Sequence, residues 1–421
     1  MPRAREQHAD AESFRRLLSS IDAAWIEEAL EAAGVATIRR RRLPVEQVVW
    51  LVLGMALYRD WSISRVVNHL HLALPGDTGR GVVPSAPVQA RARLGEEAMR
   101  WLFERCAKTW AHRSARQHAH RGLALYAVDG TTLRVPDSGE NRAFFGGHSG
   151  GDRGHSGYPQ ARAVTLMAVR SHLLAAARFA PYSVGELTLA DDLWAEVPDD
   201  SLCIVDREFL VARCLRAIEG NGKNRHWMTR AKSVTRFRTV KRLGKDDELV
   251  ELEFSDKTRS TTPEIPEQWL VRAIRYQRKG FKPQTLLTSL VDRKAYPAKE
   301  LVALYHERWE IELGFDEVKT ELLEREEALR SKSVRGVAQE LWSLGLPTIW
   351  CGWKSSRSPT RPASRPFASA SSPPCSSSRT AGSSAPRWRQ REFRASCSGC
   401  VPTSRSSSSR PDAASAPIPE P

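Results

Sequence analysis

Residues 305–322 read YHERWEIELGFDEVKTEL and set a phenol, a guanidinium, a carboxylate and an ammonium at Tyr305, Arg308, Glu312 and Lys319. At about 100° per residue, an α-helix brings all four onto one stripe roughly 60° wide. Leu301, Leu304, Phe315 and Leu322 fall on or beside that stripe. Charge thus occupies a face that should bury apolar side chains. One reading is a salt-bridged surface helix whose core contacts are Trp309 and Ile311. The other is a helix lining a reactive site, with a carboxylate flanked by cations.

Two strand-like segments elsewhere end in an acid: Asp129 in YAVDGTT and Asp206 in CIVDREF. A carboxylate at the end of a buried strand is costly unless something pairs with it. Two such groups and a third from a helix make a hard, all-oxygen site. Mg2+ takes such sites through one or two carboxylates, keeping waters and phosphate oxygens. Two ions there can clamp the attacking and leaving oxygens of an in-line phosphoryl displacement. Glu312 is the expected third carboxylate. Asp316, about 40° away on the same helix, is the alternative. Taken singly, either Asp would read as a turn or cap residue.

The elements that must position these groups are spread over 421 residues, enough for two or three domains. A formal net charge of +15 favours a polyanionic partner, nucleic acid first. No apolar run is long enough to span a membrane. The start, MPRAREQHADAESF, has no apolar signal core, which points to the cytoplasm. Cys106, Cys203 and Cys214 lie in apolar contexts, as reduced core residues do. CSGC at 397–400 is half of a zinc pattern, with no second pair or His at suitable spacing.

Residues 10–116 read as all-helical, with LPVEQVVWLVLGMALYRD (43–60) as a buried helix. The short helices, broken by Pro, Gly and Ser, suit either a helix-turn-helix-like DNA-binding module or a plain bundle. His69 and His71 read as packing or surface residues. From 121, strands and helices alternate in the α/β pattern: strands at 123–130, 161–183, 201–209 and 226–232. The Gly-rich loop at 144–159 matches neither a phosphate-binding loop nor a dinucleotide fingerprint, and His148 and His155 read as loop residues. Residues 235–295 form a β-rich insertion. The next helix has Pro297 in its first turn.

On these residues the chain resembles the DDE transposases of bacterial insertion sequences, of the insertion-sequence-four-like family. That family is marked by Tyr, two residues, Arg, three residues, Glu, six residues, Lys. Tyr305, Arg308, Glu312 and Lys319 match this spacing, and Asp129 in VDGTTLRVPDSGEN and Asp206 in VDREF supply the other acids. DREF departs slightly from the more usual DRG plus aromatic. The resemblance covers roughly residues 10–344. It implies an RNase H-like α/β core (117–344) with the β-rich insertion, after an all-α DNA-binding domain (1–116). It implies that Asp129, Asp206 and Glu312 bind two Mg2+ or Mn2+ ions, and that Tyr305, Arg308 and Lys319 hold DNA phosphates. It implies cut-and-paste transposition by a homodimer on double-stranded DNA, at terminal inverted repeats and target. An aromatic of the insertion would flip a base, with Trp269, Tyr276 and Phe281 as candidates. The same core would also suit a nuclease without strand transfer.

The last 71 residues, 351–421, hold 20 Ser, 11 Pro and 10 Arg, together with four Cys and two Trp. A low-complexity Ser/Pro/Arg tail is expected to be disordered. Such tails seldom carry Trp and Cys. Out-of-frame reading of GC-rich codons produces this mixture, so a frame shift near codon 345 is the expectation for 345–421. A copy damaged there would be an inactive relic or a DNA-binding inhibitor.

Overall fold

The computed structural model describes residues 20–35, 43–59, 61–72, 85–147, 157–278, 280–317 and 329–357. Lys319, Leu322, His148, His155 and everything beyond Arg357 lie outside these. The described residues all belong to one unit of the chain, Met1–Ser364.

The N-terminal part is helical, as its apolar spacing requires: α1 (Ala23–Ala32), α2 (Val45–Leu57), α3 (Ile63–His69), α4 (Ser85–Leu94), α5 (Glu97–Cys106) and α6 (His112–Gln117). Side-chain caps fix two of the starts. Asp22 accepts from the Ala24 amide at 3.0 Å, and Ser62 accepts from the Arg65 amide at 3.2 Å. A π-helical turn, Ala107–Ala111, joins α5 to α6. His69 packs edge-on against Tyr58 and Trp61, at 5.3 and 4.8 Å between ring centroids.

The remaining helices are α7 (Gly139–Phe145), α8 (Glu186–Ala190), α9 (Ala212–Gly220), α10 (Asp256–Thr261), α11 (Ala298–His306), α12 (Trp309–Glu317) and α13 (Val334–Arg357). The strands are β1 (Ala124–Arg134), β2 (Gln160–Ala168), β3 (Leu173–Pro181), β4 (Ser201–Val205), β5 (Arg225–Arg230), β6 (Phe237–Gly244), β7 (Asp247–Leu252), β8 (Leu270–Tyr276) and β9 (Gln284–Thr288). The nine strands among the described residues form one sheet in the order β3-β2-β1-β4-β5-β9-β8-β7-β6. β1 runs antiparallel to β2 and parallel to β4, and β4 runs parallel to β5, which is the RNase H-like arrangement. The β-rich insertion is the outer half of this same sheet. β9 pairs antiparallel with β5, Met228 opposite Thr288, and so covers an edge that would otherwise expose unpaired backbone groups.

Alternation along β1 and β4 sorts the layers. Ala124, Tyr126, Val128, Cys203 and Val205 pack towards the N-terminal helices. Leu125, Ala127, Leu202 and Ile204 pack towards Leu301, Leu304, Tyr305 and Ile311 of α11 and α12. Among the described residues no helix is long and apolar enough to cross a membrane.

The expected single helix through 305–317 is broken. The amides of Glu307 and Arg308 donate to Leu304 and Tyr305, at 2.9 and 3.2 Å, in the tight i→i−3 pattern. That turn advances the phase by about 120° per residue, not 100°. Ile311 is buried as expected, whereas Trp309, read as a core contact of a surface helix, is 57% exposed. Arg170 Nε to Glu307 (2.8 Å), His172 Nε2 to Glu310 (2.9 Å) and Arg121 Nη2 to Glu300 (2.8 Å) tie the broken helix down.

α13 continues past 344, where the sequence reading ended its amphipathic spacing. Leu341, Trp342, Leu344 and Leu346 are buried, and Trp342 sits 5.4 Å from Phe103 and 4.8 Å from Phe179. Gly345 is required here, because a Cβ would lie 2.5 Å from the Phe103 ring. Beside it is a buried polar cluster. Glu340 lies 3.7 Å from Arg91 and 3.9 Å from Arg59, accepts from the Arg330 amide at 2.8 Å, and accepts from Ser331. Burial pushes the Arg91 pKa down, and Glu340 opposes that.

Candidate active site

Strand register and strand parity place the two Asp residues together. Val128 of β1 is paired with Val205 of β4, so Asp129 and Asp206, each the next residue, are neighbours. Asp129 shares parity with Leu125 and Ala127, and Asp206 with Leu202 and Ile204, so both fall on the α11–α12 face. Asp206 caps the 3-10 turn Arg207–Phe209, accepting from the Glu208 amide at 3.1 Å. Asp129 accepts from the Gly130 amide at 2.8 Å.

Arg308 stands where the three carboxylates converge. Its guanidinium lies 3.7 Å from Asp129, 3.8 Å from Asp206 and 2.9 Å from Glu312, with the side chain only 10% exposed. Burial opposes its charge, but Asp206, Tyr305 and Glu312 outweigh that and raise its pKa. Burial pushes the Asp129 carboxyl up to about 6. The Gly130 amide and Arg308 pull against it, and the charges of Asp206 and Glu186 add to it. Asp316, one turn further along α12, is exposed, and Glu312 is the acid on this helix that Arg308 pairs with. Tyr305 is buried in the apolar layer, and its phenol is pushed up to about 12, chiefly by burial. Three carboxylates, one guanidinium and one phenol are thus brought together from three separate stretches of chain.

Glu186 and Arg162 were not foreseen as parts of this site. Glu186 lies in the first turn of α8, and Arg162 Nη1 donates to it at 2.7 Å. The Glu186 carboxylate fills the space beside Gly130, where a Cβ would come within 2.4 Å of its Cδ. The glycine after Asp129 is therefore a close-approach residue. A Glu in a helix's first turn is common, and nothing local in the sequence distinguishes this one. Arg230, at the end of β5, acts on the phenols of Tyr305 and Tyr276. Of the three candidate base-flipping aromatics, Trp269 is 4% exposed and stacked on Phe254 at 5.5 Å, which keeps it from a base. Tyr276 is partly buried and donates to Gln284 at 2.8 Å, while Phe281 is 62% exposed.

In chemistry the donor set fits a hard divalent cation. All donors are oxygens, and the carboxylates with Arg308 sum to a formal charge of −2. The Thr165 hydroxyl, opposite Asp129 in the β1–β2 register, is buried with no hydrogen-bond partner. Among the described residues no three His, Cys, Asp or Glu side chains stand close enough to share an ion, and Arg308 lies between the three carboxylates.

The chain matches the family models for the insertion element 4 transposase N-terminal region over residues 11–104 and for the transposase DDE domain over residues 120–346. It is 38% identical over 343 residues to the Escherichia coli K12 transposase InsG for insertion sequence element IS4, covering 80% of this chain and 76% of that protein. It is 36% identical over 205 residues to the putative transposase InsZ of the same strain, covering 48% of this chain and 67% of that one. Among solved structures it is similar, at a TM-score of 0.41 and 10% identity over 81% of this chain and 73% of the other, to the piggyBac transposase in a synaptic complex with hairpin DNA. By the domain matches and the InsG identity, this chain belongs to the IS4 family of DDE transposases and is a DNA transposase, a polynucleotidyl transferase.

Proposed function

We propose that the protein excises its insertion sequence and joins it to target DNA, with Asp129, Asp206 and Glu312 holding two divalent ions, Mg2+ or Mn2+. The observation that carries this is the convergence of those three carboxylates on one guanidinium, at 3.7, 3.8 and 2.9 Å. Bound ions would supply charge for the attacking and leaving oxygens. The chain's own residues do the rest. Arg162 and Glu186 hold the backbone after Asp129. Arg308 exchanges its carboxylates for a backbone phosphate, which its planar fork can grip through two hydrogen bonds. Lys319 serves as a point charge on the same strand, and Tyr305 flanks it. Water cleaves one strand at the element's end, and the freed 3′-hydroxyl then attacks the target. The substrate is duplex DNA at the terminal inverted repeats, bound by two copies of the chain in the cytoplasm. Phe281 is the aromatic best exposed to capture a flipped base.

Asp129→Ala, Asp206→Ala and Glu312→Ala should each abolish cleavage of end DNA in Mg2+ while retaining binding to it. Cleavage that survives Glu312→Ala and is lost in Asp316→Ala would transfer the third role to Asp316. Pre-cut ends bearing a 3′-hydroxyl separate transposition from nuclease action, since strand transfer to a plasmid occurs only in the first case.

A second reading concerns present activity. The family match stops at residue 346, and the composition changes over 351–421. We infer a reading-frame shift near codon 345 that leaves this copy impaired in pairing ends. Translating the same DNA in its other two frames tests it. One frame should give apolar residues at i, i+3, i+4 and i+7. If neither does, the tail is original.

A further inference from the structure

An open cavity of about 770 Å³ lies between Ala107–Gln117 and the loop preceding β4, with Arg225 of β5 in its wall. Ala124 is paired with Ser201, and Ser201 with Arg225, so the cavity sits at the amino-terminal end of the parallel strands. Asp129 lies five residues further along β1, about 17 Å away at the rise of a strand. The cavity and the carboxylates are at opposite ends of the same strands.

Its lining includes Lys108, Arg113, Arg116 and Arg225, against Glu196 as the acid. Lys108, Arg113 and Arg116 are exposed, and among the described residues none has an ion pair or a side-chain hydrogen bond. Glu196 is shared with Arg178, at 3.3 Å. Arg225 has a side chain 9% exposed and is held through Nε by Asp199 at 3.1 Å, yet its Nη1 has no hydrogen-bond partner. That nitrogen is itself buried, so Arg225 adds positive charge to the cavity wall while the exposed Lys108, Arg113 and Arg116 are the groups a ligand can touch. His112, also in the lining, bonds the Tyr126 phenol at 2.8 Å and so belongs to the wall.

The row from Lys108 to Arg116 extends about 12 Å along the helix. That is long for a single phosphate and spans several charges of a duplex, which carries one per roughly 1.7 Å of axis. We propose that this cavity is a second DNA site, which takes backbone phosphates of a duplex segment other than the one at the carboxylates. The proposal rests on the chain's identity as a DNA transposase. The cations would contact phosphate and not base edges, so the site is indifferent to sequence.

The test uses the full chain as K108Q/R113Q/R116Q and as the single exposed change R113Q, each shown by thermal melting to fold. Binding to a long duplex of unrelated sequence is measured against salt. The log–log slope should fall by roughly 0.9 for each lost contact, hence by about 2.7 in the triple variant. On a short duplex that fills only the cleft at the carboxylates, variant and wild type should bind alike. An unchanged slope in the folded variants overturns the proposal. So does an equal loss on short and long duplexes, which would assign the cavity to the catalytic DNA track. Inorganic phosphate should displace DNA no better than chloride at equal ionic strength. Selective displacement from wild type alone would make this a free-anion site and overturn the DNA assignment.

Discussion

Arg308→Met removes the cation that three carboxylates share while keeping an unbranched stem of similar length. At an effective dielectric near 20, a charge pair at about 4 Å is worth roughly 4 kcal/mol before desolvation. Arg308 has two such pairs, at 3.7 and 3.8 Å, and a closer one at 2.9 Å. Against them stands the cost of holding a guanidinium that is 10% exposed, which is several kcal/mol. Its partners are 22, 26 and 40% exposed, so water screens each attraction. The net loss should be about 3 kcal/mol, and the acids are left facing one another. For a domain of this size that is a fall in Tm of roughly 6–12 °C. The assay is thermal unfolding of wild type and variant in EDTA and in Mn2+. Without its guanidinium the carboxylate set should bind Mn2+ more tightly. At a hundredfold excess over Kd that restores about 2.7 kcal/mol, most of the deficit. Wild type should gain less, because the ion must first displace Arg308. If the variant melts with wild type in EDTA, or gains no more than wild type from Mn2+, Arg308 is not the counter-ion of this site.

Gly130→Ala should lower cleavage sharply by driving the Glu186 carboxylate off its seat, with a stability loss of about 1–3 kcal/mol, read from the rate of end cleavage beside a melt. Lys319→Ala should flatten the salt dependence of end binding by roughly 0.9 in the log–log slope, and an unchanged slope would mean it does not touch phosphate. Glu340→Ala should cost about 3–5 kcal/mol, since it leaves Arg59 and Arg91 buried without their carboxylate, and denaturant titration should show Glu340→Gln to be milder. Burial lowers the His112 pKa to about 4, below its unfolded value of 6.5. The unfolded chain then binds the extra proton between those values, so this contribution is complete above pH 6.5 and is lost as pH falls towards 4. It amounts to roughly 3 kcal/mol, and His112→Gln should flatten the stability profile over that window.

The placement of the candidate acids was legible because their signals are local. A short apolar run that ends in Asp marks a strand end, and strand parity then dictates which face Asp129 and Asp206 share. Glu312 was legible from the stripe, even though the helix breaks at Glu307–Arg308. That break has no Gly or Pro to announce it; Trp309, a core contact only if this were a surface helix, is exposed, while Ile311 stays inside. The fusion of the insertion to β5 depends on a pairing between residues some 60 positions apart, Met228 and Thr288, and no local pattern encodes which edge a strand will seek. Glu186 escaped notice for the same reason. Its importance comes from the missing Cβ of Gly130, on a strand that the sequence reading treated separately.

α13 bears on the order in which the molecule can be made. The N-terminal helices close around residues from the far end of the chain. Gln339 donates to the Arg91 carbonyl at 2.8 Å, Arg330 donates to the Trp61 carbonyl, and Trp342 lies on Phe103. At about 5–20 residues per second, a ribosome that has finished α6 needs on the order of tens of seconds more to reach residue 346. Throughout that interval Arg59 and Arg91 lack Glu340, and the Phe103 ring lacks its cover. A nascent or truncated chain would therefore expose this unfinished apolar surface, and the N-terminal helices complete their packing only when the far end of the chain arrives.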